Sequence, residues 1–593
     1  MAWRSKGFLN MGRALKRSHS FTSSCHAPAP CLKTLRILCG VHVLVSSRAE
    51  NRSLKFRIFS KTYCSVPVIN LDAGQPTAET HPEVLQPGEI MPGVTFEEMS
   101  SRRKKLMSAV PFGSIAILIS ASVKDMTELI PYPYRQNSDY LYYTGCAQPA
   151  GIALLYGAGE LCMFMPDPFI EGAFWEGRWA HAPEALTVLK ADRAYNISDL
   201  PKHLPRLLKQ ARGVYIDGEV LPGSELGQLP AYKEAVQENR VHSLSKYSHE
   251  ARWIKSLSEL NLMRHAAGMA CQAFLQTMKV SSIRRHEHLL AATIEYECKI
   301  RGAQSMAFPP VVAGGANATV IHYSQNDQPI KEGQLVLMDA GCDYFGYVSD
   351  ITRTWCPSGI LSNAQRDIYE AVLSAFKHCL ELYKPGASLA EIHHAASDKL
   401  RKAAKELGII QSSDDYLKIN PTCVGHYLGM DVHDCKAIPE SRRLEPGVVE
   451  FFCLLSFLRF SVFKRHDLRK HYMQTLKIIM VDLQSIAVLS DNNPGMMKCL
   501  VLTIEPGLYI PESDQFPKWS QGIGIRIEDE VLITESGHEV LTASIPKELR
   551  LGLTLKDKVW DHGVSFLHAQ FCVSVEGPHS WAAFSKTTSS ETT

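Results

Sequence analysis

Residues 336–355 read VLMDAGCDYFGYVSDITRTW, and two apolar, β-prone runs in it, VLM and YV-x-x-I, flank a short polar turn. This pattern predicts a β-hairpin. Each arm carries an aspartate, Asp339 or Asp350, where the pattern calls for a buried residue. With the turn centred on Tyr344–Phe345, the two aspartates face each other across the ladder. Opposed like charges destabilise a strand pair, and burying them costs far more unless a positive charge lies between them. A divalent cation would resolve the conflict, although the hairpin alone is explained more simply by one aspartate in the turn and one on a solvated edge.

Composition limits the class of protein. The chain has 593 residues, enough for two or three domains. Lys plus Arg total 63 against 61 for Asp plus Glu, and this near-neutral balance argues against nucleic acid and anionic membrane surfaces as partners. The 16 cysteines form no C-x-x-C pairs, which favours a reducing compartment over secretion. The apolar piece at 35–45 is too short for a membrane span.

The N-terminus is rich in arginine, lysine and serine, and its first acidic residue is Glu50. This composition is typical of an organelle transit peptide. Arg57-Ile-Phe-Ser60 resembles a mitochondrial matrix processing site, with arginine three residues before the cleaved bond. We therefore expect a transit peptide over 1–64, removed near Ser60, and a mitochondrial matrix location rather than a plastid one. The alternative is a disordered basic tail.

The rest of the chain divides into two blocks. After a polar linker at 65–86, short strands alternate with helices over 87–248, which predicts an α/β domain. A second block, predicted over 249–556, opens with a long amphipathic helix whose start carries a capping box, Ser256 with Glu259. The tail, 557–593, loses periodicity and ends in Ser/Thr-rich residues, so it is expected to be disordered or aberrant.

Residues 450–502 form an atypical insertion, because two apolar runs and a basic run break a strand-like segment. One explanation is a retained intron or an unusual splice form. The other is a genuine loop, since KCLVL just before Thr503 alternates well enough to rebuild a strand.

Three further segments are predicted to be apolar strands, and each contains isolated polar residues. VGHYLGMDVHD contributes His426 and His433, LTIEPGLYIP contributes Glu505, and GIGIRIEDEVLI contributes Arg526 and Glu528. In the last segment, alternation puts the arginine and the glutamate on the same strand face, where the guanidinium can orient the carboxylate. Each segment alone has an ordinary explanation, such as a hydrogen-bonded histidine or a Glu-Pro-Gly turn.

The set is harder to explain without cations. Four carboxylates and one imidazole, each in an apolar segment, would make a costly core. Two divalent ions bring the formal charge of the four carboxylates to about zero, and bridging carboxylates would hold such ions about 3.5–4 Å apart. Oxygen-rich ligation with one histidine suits Mn²⁺, with Co²⁺ or Zn²⁺ as substitutes.

The motifs DAG-x(8)-DITRTW, GHYLGMDVHD, TIEPGLYIP and GIRIEDE, in this order, resemble those of the aminopeptidase P family of Xaa-Pro aminopeptidases. The similarity includes PYPYRQNSDYLYYTG and VVAGGANATVIHY and covers roughly 87–550 apart from the insertion. It is strongest to the mitochondrial branch, which includes the intermediate-cleaving peptidase. The resemblance implies an α/β N-terminal domain like that of creatinase and aminopeptidase P, followed by an α+β pita-bread catalytic domain.

The resemblance also implies roles for residues. It assigns the two metal ions to Asp339, Asp350, His426, Glu505 and Glu528. His322 and His433 would hold the peptide and assist proton movement at the leaving nitrogen, Glu505 would also be the general base, and Arg526 would orient Glu528. The implied function is a dinuclear metal-dependent aminopeptidase that acts on the N-termini of peptides or imported precursor proteins.

Two features bear on specificity and assembly. Many relatives carry a further histidine four residues before the metal-binding one, and here that position is Thr422, which puts a strict Xaa-Pro preference in doubt. FWEG (174–177) resembles a loop that reaches a neighbouring subunit, which favours a homo-oligomer. The alternatives are a prolidase- or creatinase-like hydrolase and a catalytically inactive pita-bread binding module, the latter only if the insertion disrupts the site.

Overall fold

The computed structural model describes residues 73–128, 130–149, 151–168, 177, 179–445 and 499–548, together with a separate pair of short strands. That pair, β1 (Leu35–Arg36) and β2 (His42–Val43), is antiparallel and belongs to a unit of its own, 1–70. The predicted processing site, the tail beyond 548 and almost all of the insertion lie outside the described residues. Within the described residues, every helix is too short or too polar to cross a membrane.

The N-terminal half is built on a six-stranded mixed sheet of order β10-β9-β8-β5-β11-β12. Its central strands come from the apolar runs SIAILIS, GIALLY, LCMFM and GVYIDG, as predicted, because such runs can be buried on both faces of a sheet covered by helices. The strands of this half are β3 (Glu89–Met91), β4 (Val94–Thr95), β5 (Ile115–Ile119), β6 (Asp125–Thr127), β7 (Ile130–Pro131), β8 (Ile152–Tyr156), β9 (Glu160–Met165), β10 (Arg193–Asn196), β11 (Val214–Asp217) and β12 (Val241–Ser243).

Helices cover this sheet with apolar faces such as Leu200, Leu204 and Leu208, whose spacing matches the helical repeat. The predicted boundary at 248/249 lies inside the last helix of this half. The helices are α1 (Phe96–Ala109), α2 (Ser138–Thr144), α3 (Ala182–Thr187), α4 (Leu200–Gln210), α5 (Glu225–Gln228), α6 (Pro230–Gln237) and α7 (Ser245–Trp253).

Part of the segment assigned to the linker contacts the N-terminal half. The Gln75 side chain donates a hydrogen bond to the Gly145 carbonyl at 2.9 Å and accepts one from the Ala147 amide at 2.9 Å. Leu85 is buried. Ordered structure therefore begins before Pro87.

The second half packs long helices against short antiparallel sheets of two or three strands, which is the predicted α+β architecture. Its first helix starts with the predicted capping box, in which Ser256 and Glu259 satisfy each other's backbone amides. The helices are α8 (Leu257–Val280), α9 (Glu287–Lys299), α10 (Asn363–Leu382) and α11 (Leu389–Glu406). The strands are β13 (Ser305–Met306), β14 (Val311–Gly314), β15 (Val336–Ala340), β16 (Cys342–Tyr344), β17 (Tyr347–Val348), β18 (Ile351–Trp355), β19 (Leu500–Ile504), β20 (Gly507–Ile510), β21 (Ile523–Arg526), β22 (Asp529–Thr534) and β23 (Gly537–Val540).

Two apolar clusters hold these layers together. One joins α10 and α11 to β19, β20, β21 and β22, and the other joins α8 and α9 to β14, β15, β16 and β18. The polar ends of β15, β18, β19 and β21 therefore lie between two helix pairs. This packing positions the candidate site.

The hairpin at 336–355 forms, but its register differs from the prediction. Phe345 (φ 51°) and Gly346 (φ 81°) both have positive φ, which is the geometry of a type I′ turn, so the turn centres on them. Asp339 consequently pairs with Thr352 instead of Asp350. Asp350 lies two residues away on the diagonal. The prediction of direct opposition was wrong because glycine belongs at the second central position of this turn.

The strand after the insertion is present. β19 is fully buried and pairs antiparallel with β22, with Thr503 opposite Glu530. This confirms that KCLVL rebuilds a strand leading to Glu505. By contrast, the segment 424–434, predicted as an apolar strand, forms only one isolated bridge, between Tyr427 and Leu502.

We expect Asp217→Asn to stabilise the protein at pH 8 more than at pH 5. Burial, and then the charge of Asp139, raise the pKa of Asp217 to about 7. A carboxyl group with a raised folded-state pKa lowers the free energy of unfolding as the pH rises from about 4, its unfolded value, to about 7. Because asparagine does not ionise, the variant does not lose free energy of unfolding over this pH range. Thermal unfolding at both pH values tests it, with exposed Asp125→Asn as the control. An equal gain for Asp217→Asn at both pH values would contradict the assignment.

Candidate metal centre

Asp339, Asp350, His426, Glu505 and Glu528, predicted as one set, come together where five segments meet. Asp339 lies on β15, Asp350 directly precedes β18, and Glu528 lies between β21 and β22. Side-chain ligand atoms of Asp350, His426 and Glu528 lie within 4.8 Å of one another. His426 Nε2 is 3.4 Å from Asp350 Oδ2 and 3.4 Å from Glu505 Oε1.

Glu505 and Glu528 are opposed at a gap between two ladders. On one side Ile504 pairs with Asp529, and on the other Gly507 pairs with Arg526. Both pairs have the same register, so Glu505 and Glu528 lie opposite each other between them. The sequence predicted that Asp339 and Asp350 oppose each other directly in the hairpin. In the structure, two like charges are instead directly opposed at this gap, as Glu505 and Glu528.

His426 is held against β19 by its backbone. Its amide donates to Thr503 Oγ1 at 3.1 Å and its carbonyl accepts from the Thr503 amide at 2.9 Å. A Cβ on the preceding Gly425 would lie 2.3 Å from the Thr503 carbonyl oxygen, so this close approach requires glycine. The Nδ1 atom of the imidazole is 3.1 Å from the Tyr427 carbonyl oxygen, which can only accept a hydrogen bond. This contact puts the proton on Nδ1 and leaves the lone pair of Nε2 toward the carboxylates.

Arg526 reaches the carboxylates by two routes. Its guanidinium contacts Asp339 Oδ2 directly. Its Nε donates to Thr352 Oγ1 at 2.9 Å, and that hydroxyl donates to Glu528 Oε2 at 2.6 Å. The direct distance from Arg526 Nε to Glu528 Oε2 is 3.9 Å, so Glu528 is oriented mainly through Thr352. Arg526 Nη1 also donates to Tyr509 Oη at 3.0 Å.

The charge balance of the cluster fits divalent cations. Burial raises the pKa of Asp350, Glu505 and Glu528, and neighbouring carboxylates raise the pKa of Asp350 and Glu528 further. Asp339 Oδ1, Asp350 Oδ1 and Glu528 Oε1 are buried without a hydrogen-bond partner in the described part of the chain. Buried unpaired carboxylate oxygens beside the Nε2 atom of an imidazole are the donor set expected for two divalent ions of the Mn²⁺, Co²⁺ or Zn²⁺ type.

The two predicted substrate histidines lie at the mouth of the cluster and are exposed. The His433 ring stands edge-on to His426, with ring centroids 4.4 Å apart. Partial desolvation, followed by the charges of His426, Lys436 and His322, lowers the pKa of His433 to about 4. His433 is therefore neutral at physiological pH and can accept a proton or donate its N–H to a substrate.

Sequence reasoning missed two groups at the centre, Thr352 and Tyr509. Thr352 shares a strand face with Asp339 and stands two residues after Asp350, so alternation alone could have indicated it. The Tyr509 hydroxyl carries no comparable sequence signal.

Thr422 stands four residues before His426 in the sequence. Its hydroxyl donates to Asn420 Oδ1 at 3.3 Å, so it makes a local hydrogen bond. Residues 174–176 of the FWEG loop lie outside the described residues.

Comparison with known proteins agrees with this architecture. Residues 261–451 match the model of metallopeptidase family M24, and residues 99–215 match that of the aminopeptidase P N-terminal domain. The chain is 43% identical to mitochondrial intermediate cleaving peptidase 55 of Arabidopsis thaliana, over 81% of this chain and 86% of the relative. It is 32% identical to Xaa-Pro aminopeptidase 3 of Homo sapiens, over 80% and 89%. The structure of proline aminopeptidase P II from Yersinia pestis superposes with a TM-score of 0.63 at 29% identity, covering 77% of this chain and 98% of that one.

We expect Thr352→Val to weaken Mn²⁺ binding by about 10- to 100-fold, because the hydroxyl that links Arg526 to Glu528 is lost while the side-chain shape is kept. Thr354→Val is the matched control, since the Thr354 hydroxyl bonds only to the backbone of Arg526, at 2.9 and 3.1 Å. Calorimetric titration of the metal-free proteins with Mn²⁺ measures both affinities. Equal affinities for the two variants would show that the Thr352 hydroxyl does not orient a ligand.

Proposed function

We propose, from the premise that this chain belongs to metallopeptidase family M24 and is a metallo-aminopeptidase of the aminopeptidase P type, that its dinuclear centre is the cluster around Asp350. The proposed ligands are Asp339, Asp350, His426, Glu505 and Glu528. The observation that carries this proposal is that three buried carboxylate oxygens in the cluster have no hydrogen-bond partner among the described residues.

The residues around the centre have distinct tasks. When bound, two divalent cations supply Lewis acidity that lowers the pKa of the attacking water. Glu505, at the gap between β19 and β20, would take a proton from that water. Arg526 and Thr352 hold Asp339 and Glu528 in fixed orientations. His322 and His433, at the mouth, are placed to hold the peptide and to move a proton at the leaving nitrogen.

We also propose an identity for the metal and a cellular location for the protein. Four carboxylates with one imidazole favour Mn²⁺, with Co²⁺ or Zn²⁺ as substitutes. The basic N-terminus and the likeness to a mitochondrial intermediate cleaving peptidase support the mitochondrial matrix. A homo-oligomer is proposed from the FWEG loop alone.

Substrates are proposed to be peptides or imported precursors with a free N-terminus, cut after the first residue. The names of the relatives, intermediate cleaving peptidase and Xaa-Pro aminopeptidase, support both kinds of substrate. Thr422 replaces an imidazole with a small hydroxyl group, which favours acceptance of residues other than proline in second position. A prolidase- or creatinase-like activity is not favoured. An inactive module is disfavoured because all five residues proposed as metal ligands are present in the sequence.

Glu505→Gln is expected to lower kcat by at least about 10²–10⁴-fold, because loss of a general base alone has an effect of this size. The change is nearly isosteric, so the folded protein should persist. His433→Ala should lower the rate while both metal ions remain bound. Steady-state kinetics with metal analysis separates the two effects. Full activity of Glu505→Gln would remove the glutamate from the mechanism.

A panel of Xaa-Pro and Xaa-Ala peptides, assayed with the Mn²⁺-loaded protein, tests the substrate assignment. We expect cleavage after the first residue in both sets and a shift toward Xaa-Pro in Thr422→His, which restores the imidazole. N-acetylated versions of the same peptides are the control and should not be cut. Release of internal fragments, or turnover of the acetylated peptides, would contradict an aminopeptidase.

A further inference from the structure

A buried ion-pair cluster joins the N-terminal half to the segment that carries His433. At its centre is Arg252, near the end of α7, which is 3% exposed. Its Nη1 lies 2.6 Å from Asp139 Oδ1 on α2. Its Nη2 lies 2.9 Å from Asp431 Oδ2 and also contacts Asp434 Oδ1. One guanidinium therefore binds the aspartates on both sides of His433.

Other side chains complete the hold on these two aspartates. Ser138 Oγ, at the start of α2, donates to Asp431 Oδ1 at 2.6 Å. Arg135 lies 3.6 Å from the same oxygen and contacts the Met430 carbonyl. Lys255 Nζ donates to Asp434 Oδ2 at 3.2 Å.

The His433 ring depends on this hold. In the part of the chain that the structure describes, its only partner is the edge-on His426 ring, and no hydrogen bond reaches it. Its position is therefore set by the backbone of 431–434. Two backbone hydrogen bonds fold that segment back on itself, from the Gly429 amide to the Asp431 carbonyl at 3.2 Å and from the Asp434 amide to the Tyr427 carbonyl at 2.9 Å.

We propose that Arg252 and Ser138 are positioning residues for peptide hydrolysis, which hold His433 against the metal centre through Asp431 and Asp434. The N-terminal half thereby contributes to the geometry of the peptidase site. This inference rests on the proposed role of His433. It assigns no contact with substrate to Arg252 or Ser138.

Electrostatics explains why an arginine stands at this point. Asp139, Asp431 and Asp434 would repel one another if they were brought together without a cation. The planar fork of arginine can bind several carboxylate oxygens at once, whereas lysine offers a single point charge. Loss of the fork leaves carboxylates without compensation, and the segment 431–434 can relieve this by moving outward, taking His433 with it.

The test is a pair of double-mutant cycles in the Mn²⁺-loaded, full-length protein. Arg252→Lys and Ser138→Ala are each made alone and together with His433→Ala. Ser138→Ala alone should lower kcat/KM about 10-fold and Arg252→Lys up to about 100-fold, as expected for a displaced catalytic group. In the His433→Ala background each substitution should change kcat/KM less than about 2-fold, because the group that it positions is absent.

A matched control is Arg102→Lys. Arg102 is also a buried arginine between the two halves, with Glu98 at 2.6 Å and Glu259 at 3.7 Å, but it does not contact 431–434. The Arg102→Lys variant should have a lower melting temperature and an unchanged kcat/KM. All variants should retain both metal ions. Ser138→Ala removes only one hydroxyl, so it keeps the test open if Arg252→Lys does not fold.

The outcomes separate the two proposals. An unchanged rate in His433→Ala would remove the role of His433 and the positioning role with it. A reduced rate in His433→Ala, with Ser138→Ala lowering kcat/KM by the same factor in both backgrounds, would leave the proposed function intact and overturn the positioning role. A loss of kcat/KM in Arg102→Lys equal to that in Arg252→Lys would also overturn the positioning role, because the loss would then follow from lower stability in general.

Discussion

Three buried carboxylates and the half-buried Glu505 share one site with the guanidinium of Arg526, and the second half of the chain is arranged around this imbalance of charge. Arg526 compensates one carboxylate directly and a second through the Thr352 hydroxyl. Even so, one oxygen each of Asp339, Asp350 and Glu528 is buried without a hydrogen-bond partner among the described residues. Such a cluster is tolerated only if cations or protons neutralise it. The cluster therefore costs stability as part of the core, and its presence is explained by the binding of cations.

The constraint also bears on Glu505 and Glu528, two of the proposed ligands, which lie where ladders are interrupted. A continuous ladder would pair Glu505 directly with Glu528, and such opposed like charges destabilise a strand pair. Instead, the β19–β22 ladder ends at Ile504 and the β20–β21 ladder begins at Gly507, with the same register on both sides. The interruption keeps the two strands aligned, and the amides of Glu505 and Glu528 bond instead to the carbonyls of Val424 and Thr352. Asp350 lies at a comparable break, between β17 and β18.

The sequence was sufficient to single out the five residues proposed as ligands, which the structure brings close together, because charged residues in apolar runs stand out against the pattern. It was not sufficient for the register, since the turn depends on positive φ at Phe345 and Gly346. The irregular path of 424–434 was missed because its apolar residues suit a strand equally well. The Arg252 cluster could not be inferred at all, because Asp139 and Asp434 are 113 and 182 residues away from that arginine along the chain.

The strand β19 is anchored at the end away from Glu505. Leu500 begins β19 and Glu505 follows its end, a separation of roughly 17 Å at about 3.3 Å per residue. Before the strand starts, the Cys499 amide and carbonyl both pair with Lys255, at 3.2 and 2.6 Å. Lys255 also binds Asp434. One residue, Lys255, therefore anchors both the strand that leads to Glu505 and the segment that carries His433.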